Sequence, residues 1–154
     1  MTAMVLRTAR PGEAPALSAL ALRSKGYWGY DEAFLEQCRS QLTLSERELA
    51  RLVTVVAERD GRVLGFAGVA VDRAEPELDL LFVEPDAVGT GVGGELLRAA
   101  CAAARERGVA ALLVVSDPNA EGFYRAHGGV VVGERRGVGS GRMLPVLRLT
   151  TDVD

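Results

Sequence analysis

The chain has 154 residues, 48% apolar and 25% charged, the balance of one soluble globular domain long enough to bury a core. A formal net charge of −3 argues against nucleic acid as partner, because a phosphate backbone calls for a basic surface. The longest apolar run, VAALLVV at 109–115, is too short to cross a bilayer, so no membrane association is expected.

The first residues, MTAMVLRTAR, lack the apolar core of a secretion signal. Cys38 and Cys101 lie far apart in no metal-ligand spacing, which points to a reduced cytoplasmic setting and to no metal site. Basic residues are almost all arginine, Lys25 being the one lysine; with so much Ala, Gly and Val, this suggests a GC-rich bacterial genome.

In chain order, residues 4–9 predict a short strand, and 12–25 a helix with Leu17 and Leu20 at helical spacing. The break Gly26-Tyr27-Trp28-Gly29-Tyr30 follows. Asp31 then caps a second helix carrying Phe34, Leu35, Cys38 and Leu42 on one side. From Leu52 the period changes to two. LVTVVAE (52–58), the turn Asp60-Gly61 and RVLGFAGVAV (62–71) read as an antiparallel hairpin. ELDLLFV (77–83) adds a third strand to that antiparallel block.

A glycine-rich loop opens a helix over 92–107, whose stripe is Leu96, Leu97, Ala100, Cys101 and Ala104 and whose end is marked by Gly108. ALLVV (111–115) is a buried strand. Asp117-Pro118 opens a short helix over 119–127, and strands at 130–135 and 144–150 flank the loop GVGSG. No repeat or linker interrupts 1–154, which reads as one α/β domain.

Gly89, Gly91 and Gly94 match G-x-G-x-x-G, a pattern whose bare N–H groups cradle phosphates at a helix start. A strand precedes it, and Asp117 stands about where the ribose-binding acid of a dinucleotide fold would. Three features oppose NAD(P). Glu84 to Val88 separate the strand from the first glycine, an antiparallel block precedes the loop, and too little chain follows Asp117 for a second half-sheet. No Gly-Lys-Ser/Thr closes the loop, which excludes a P-loop. A plain strand-to-helix turn remains the simplest structural alternative.

The order of elements, with Val83-Glu84-Pro85, Gly89-Thr90-Gly91-Val92-Gly93 and DPNAEGFYRAHGG at 117–129, closely resembles the GNAT superfamily of acyl-CoA N-acyltransferases. The resemblance covers essentially the whole chain. It implies a mixed central sheet of about six or seven strands flanked by about four helices.

By that resemblance, acetyl-CoA is the acyl donor. The backbone amides of Val88, Gly89, Thr90, Gly91, Val92, Gly93 and Gly94 would hold its pyrophosphate. Phe82 and Val83 would border the pantetheine arm where their strand splays from ALLVV, with Asn119 and Phe123 nearby. Tyr124 matches the tyrosine that protonates the departing thiolate, and a main-chain N–H near Val83 would polarise the thioester carbonyl. The loop motif usually begins with Arg or Gln, and Val88 stands there instead. That departure implies either a weaker grip on the cofactor or another arginine in its place. At 129–130, Gly-Val replaces a common Gly-Phe.

Direct attack on the thioester needs a neutral amine, and only ~0.1% of an alkylamine of pKa about 10 is neutral at pH 7. Glu77, where several family members carry their catalytic glutamate, Asp79 two residues on, and ordered water are the alternatives for the base. Both carboxylates are expected on one strand face. Tyr27, Trp28 and Tyr30 form an aromatic cluster expected to wall the acceptor pocket, with Arg142 and GVGSG opposite. His127 reads as a helix-end residue. The implied acceptor is a small-molecule or peptide amine, and a homodimer is common in the family. A non-catalytic acyl-CoA-binding regulatory module is the alternative from another class, and an NAD(P)-dependent enzyme a further one.

Overall fold

Residues 3–137 and 141–152 are described by a computed structural model. Seven strands form one mixed sheet: β1 (Val5–Thr8), β2 (Val53–Arg59), β3 (Arg62–Ala70), β4 (Glu77–Val83), β5 (Ala111–Val115), β6 (Val130–Arg136) and β7 (Met143–Thr150). Their spatial order is β1-β2-β3-β4-β5-β7-β6. All neighbours run antiparallel except β4 and β5. The antiparallel block thus contains four strands, because β1 pairs with β2 beside the expected three.

Five helices flank the sheet: α1 (Ala14–Gly26), α2 (Glu32–Leu42), α3 (Glu46–Arg51), α4 (Val92–Glu106) and α5 (Glu121–Ala126). Asp31 caps α2 by accepting from Phe34 N, as its sequence position suggests. The α3 turn is an addition to the sequence reading. Ser45 accepts from Glu48 N while the Glu48 side chain accepts from Ser45 N, so a capping box stabilises even this short helix. The helix expected from 119 starts instead as a 3-10 turn, Pro118–Ala120, that leads into α5. Of GVGSG, residues 138–140 lie outside the described residues.

Two apolar layers sandwich the sheet. Leu17, Leu20 and Ala21 of α1 pack with Leu49, Val56 and Phe66 on one face. Leu96, Leu97, Ala100 and Ala104 of α4 pack with Ala57, Ala67 and Val69 on the other. On β4, Leu81 and Val83 turn to the α4 layer while Leu80 and Phe82 turn to α1, the alternation a pleated strand requires. Leu78 also faces α4, which two-residue alternation with Leu80 forbids. The cause is a bulge: Gly68 pairs with Leu80 and Val69 with Leu78, leaving Asp79 as the extra residue.

α4 lies close to the sheet because position 65 carries no side chain. A β-carbon on Gly65 would fall 2.7 Å from Phe82 O and 2.9 Å from Leu96 Cδ1. Close docking of α4 sets the height of its N-terminus beside the end of β4, where the glycine loop begins.

Candidate active site

β4 and β5 are paired only at Glu77↔Leu113, with Leu113 N donating to Pro76 O at 3.0 Å. Beyond that point no ladder joins them, so the two strands open into a wedge. On the other side of β4, Glu84 N donates to Leu64 O at 2.8 Å. Antiparallel alternation then turns the backbone groups of Leu81 and Val83 away from β3 and toward the wedge.

A cavity of about 670 Å³ occupies this wedge. Its middle is walled by Leu81, Phe82 and Val83 with Val114 and Val115. One part borders the glycine loop through Val88, Gly89, Gly91, Gly93 and Gly94. Gly89 and Gly91 have φ of 81° and 92°, left-handed values that glycine reaches without strain. Gly91 is the residue before α4, and no side chain caps that helix. The first N–H groups of a fifteen-residue helix, on Val92, Gly93 and Gly94, therefore keep their donors and the positive end of the helix dipole for a ligand. The Val92 side chain itself is buried under the helix, so Val92 contributes backbone rather than side chain, whereas Thr90 turns both its hydroxyl and its N–H back to Ala87 O.

Val88 is exposed at the cavity edge. Two groups that sequence reasoning had not placed there stand beside the loop: Arg98, one turn along α4 from Gly94, and His127, at the end of α5. The His127 ring lies 4.6 Å from that of Phe123, and its Nδ1 is 2.9 Å from Phe123 O. The helix-end role read for His127 is thus combined with a place on the cavity wall. The i, i+4 spacing of Gly94 and Arg98 was the signal available for the arginine.

Tyr124 is 6% exposed and borders the cavity, edge-on to Phe123 at 5.2 Å. Burial, and secondarily the negative charge of Asp117, push its phenol above its ordinary range, so it stays protonated. Among the described residues its hydroxyl has no hydrogen-bond partner.

The two candidate carboxylates part company. Asp79, re-aimed by the bulge, borders the cavity, whereas Glu77 does not. Both are held by Arg73: Asp79 by hydrogen bonds of 2.8 and 3.0 Å, Glu77 by an ion pair of 3.4 Å. Glu77 also accepts from Arg135 at 3.0 Å. The simple expectation of one shared strand face fails at the bulge, although the carboxylates meet over Arg73. Burial raises the Asp79 carboxyl above its ordinary value; the Arg73 ion pair opposes, and the charge of Glu77 adds to the rise.

Beyond the strands, the aromatic break divides. Trp28 borders the cavity; Tyr27 meets it edge-on at 5.0 Å but lies off the wall. Tyr30 is turned into a polar network, its hydroxyl 2.9 and 3.0 Å from the Asp117 carboxylate and accepting from Asn119 Nδ2 at 3.0 Å and Arg142 Nη1 at 3.2 Å. The Arg142 guanidinium lies 5.4 Å from the Tyr30 ring centre and 4.9 Å from that of Phe34. Lys25 pairs with Asp117 and sits 5.1 Å from the Tyr30 ring centre. Burial pushes the Asp117 carboxyl up, but its bonds from Lys25, Asn119 N and Tyr30 prevail and hold it below its ordinary value. Lys25 and Asp117 border the cavity, while Tyr30, Asn119 and Arg142 stand behind them. Among the described residues no cluster of three His, Cys, Asp or Glu offers a metal site, and no helix is long and apolar enough to cross a membrane.

A splayed parallel strand pair, a glycine loop on an uncapped helix and a buried tyrosine over the gap define a GNAT-type acyltransferase fold. The chain belongs to this family: the profile described as an acetyltransferase (GNAT) domain matches residues 13–145. Among solved structures, it is similar to a GCN5-related N-acetyltransferase from Rhodopseudomonas palustris, described also as a class-II aminotransferase, at 26% identity and a TM-score of 0.81 over 97% of each chain. The PaiA N-acetyltransferase of Thermoplasma acidophilum, solved with coenzyme A, shares 17% identity, 96% of this chain, 99% of its own and a TM-score of 0.78. YncA of Salmonella typhimurium, solved with acetyl-CoA, shares 21% identity, 99% of this chain, 96% of its own and a TM-score of 0.70. No curated protein matches the chain significantly.

Proposed function

We propose that the chain acts as one GNAT domain that transfers an acetyl group from acetyl-CoA to a primary amine by direct attack on the thioester. The observation that carries this is the continuity of the cavity: it runs from the open start of α4 into the β4–β5 wedge, where Asp79 and Tyr124 both border it.

In this reading the N–H groups of Gly89 and of Gly91 to Gly94, with the α4 dipole, hold the pyrophosphate. Arg98, which also pairs with Glu95, supplies the cationic side chain missing at Val88, and the His127 ring stands beside it. Leu81 and Val83 offer backbone groups to the pantetheine. Asp79 is preferred over Glu77 as the base that receives the ammonium proton, directly or through water, because Glu77 lies off the cavity between two arginines. As the amine nitrogen bonds to the acyl carbon and the C–S bond breaks, Tyr124 gives its proton to sulfur. Trp28, Lys25 and Asp117 border the side from which the acceptor enters, with Tyr30 and Arg142 setting their positions.

The test has two arms. Acetyl-CoA, and not NAD, is expected to raise the melting temperature. With a panel of primary amines, free CoA thiol should then accumulate in step with acetylated product. Stabilisation by NAD alone overturns the assignment; CoA binding with no amine acetylated favours a regulatory acyl-CoA-binding module.

A further inference from the structure

The last turn of α1 is clamped across the mouth of the wedge. Arg23 donates to Glu84, the residue that follows Val83, at 2.9 and 2.7 Å, and Glu84 is only 8% exposed. Two residues on, Lys25 pairs with Asp117, just beyond the end of β5. Ser24 lies between these two anchors and borders the cavity. Its Oγ accepts the N–H of Val83 at 3.3 Å. That N–H is, with Leu81's, one of the two that β-sheet alternation turns into the wedge.

We infer that Ser24 is a catalytic residue of the acetyl transfer, its hydroxyl donating to the thioester carbonyl oxygen as negative charge develops there. The inference rests on the acetyl-CoA reading above. Of the two β4 N–H groups that face the wedge, Val83's is already committed to Ser24 Oγ. The hydroxyl proton of Ser24 has no acceptor among the described residues, so it is free to point into the cavity. Accepting from Val83 N–H polarises that O–H and strengthens it as a donor. The two ion pairs hold the donor in place before the substrate arrives, which is what stabilisation of a developing oxyanion requires.

The test compares binding of two stable analogues with turnover. One is the ketone analogue of acetyl-CoA in which methylene replaces sulfur; the other is S-ethyl-CoA, which lacks the carbonyl. The wild type should bind the ketone about tenfold more tightly than S-ethyl-CoA. Ser24→Ala should abolish that preference, leave S-ethyl-CoA binding within about threefold, and lower kcat ~10²–10³-fold. Ser24→Thr, which keeps the hydroxyl, should recover part of both losses. Alanine suits the helical position, so the variant is expected to fold. A ketone preference retained in Ser24→Ala overturns the inference, as does a rise in kcat with tighter ketone binding, which would make Ser24 a competitor for Val83 N–H. Failure of the wild type to bind CoA, S-ethyl-CoA or the ketone instead overturns the acetyl-CoA reading itself.

Discussion

A β-carbon at position 94 would stand 3.1 Å from His127 Nε2, so the last glycine of the loop leaves room for an imidazole beside the α4 N-terminus. Gly94 has helical geometry, so turn formation does not explain it. Its neighbours do: His127 on one side and, at 3.6 Å, Arg98 Nη1 on the other. The resemblance of this loop to a dinucleotide fingerprint therefore has a local packing cause.

Gly94→Ala should separate stability from binding. Alanine favours a helix over glycine by ~0.5–1 kcal/mol, so the free protein should melt no lower than the wild type. The added methyl displaces His127 and crowds Arg98, so CoA affinity should fall ~3–10-fold by calorimetry. Arg98→Ala should give a loss of the same order that shrinks at high salt, because its contribution is Coulombic.

Asp79 and Glu77 make opposite predictions despite sharing Arg73. Asp79→Asn should lower kcat/KM ~10²-fold or more, in the range of a lost general base. Glu77→Gln should leave most activity. Because burial holds the Asp79 carboxyl above its ordinary value, the acid limb of the wild-type rate profile should fall above the usual carboxylate range. Removing the neighbouring charge in Glu77→Gln should move that limb to lower pH. A limb that stays fixed in Glu77→Gln and survives in Asp79→Asn would leave the base role to water.

These two residues also mark where the sequence stopped being legible. All seven strands and the α4 start follow from periodicity and turn residues, because burial on sheet faces writes itself into alternation. The bulge at Asp79 does not, since nothing in ELDLLFV announces an inserted residue; it is visible only as the changed facing of Leu78 and Leu80. The α3 capping box was present as Ser45-Glu46-Arg47-Glu48 and could have been read. Ser24 and Lys25 could not, because what brings them to the cavity is pairing across long sequence separations, with Val83 and with Asp117.

Tyr124→Phe removes only the hydroxyl, and its ring remains to fill the buried position. CoA affinity should stay within about twofold while kcat falls ~10²-fold or more with amine acceptors. The sign of the pH effect follows from its shift. A phenol raised above its ordinary value is protonated throughout the neutral and mildly alkaline range. The wild type should therefore show no loss of rate near pH 10 that is absent from Tyr124→Phe.

The final prediction concerns stability and lies on the opposite edge of the sheet. Arg7 of β1 donates to Glu13 at 2.9 and 2.8 Å and to Glu58 at 3.1 Å, while Glu13 also accepts from Arg10 N. The Arg7 hydrogen bonds, working against burial, lower the Glu13 carboxyl from 4.5 to about 2. A depressed carboxylate pKa stabilises the fold above the unfolded value, and the contribution disappears as pH falls through the folded one. Glu13 should thus add on the order of 2 kcal/mol at neutral pH, lost progressively between about pH 4.5 and about pH 2. Urea melts of wild type and Glu13→Gln at pH 7, 4 and 3 check this. The variant should be less stable at pH 7, and the gap should close on acidification. A gap that is constant with pH would mean that Glu13 acts by packing and neutral hydrogen bonds rather than by its charge.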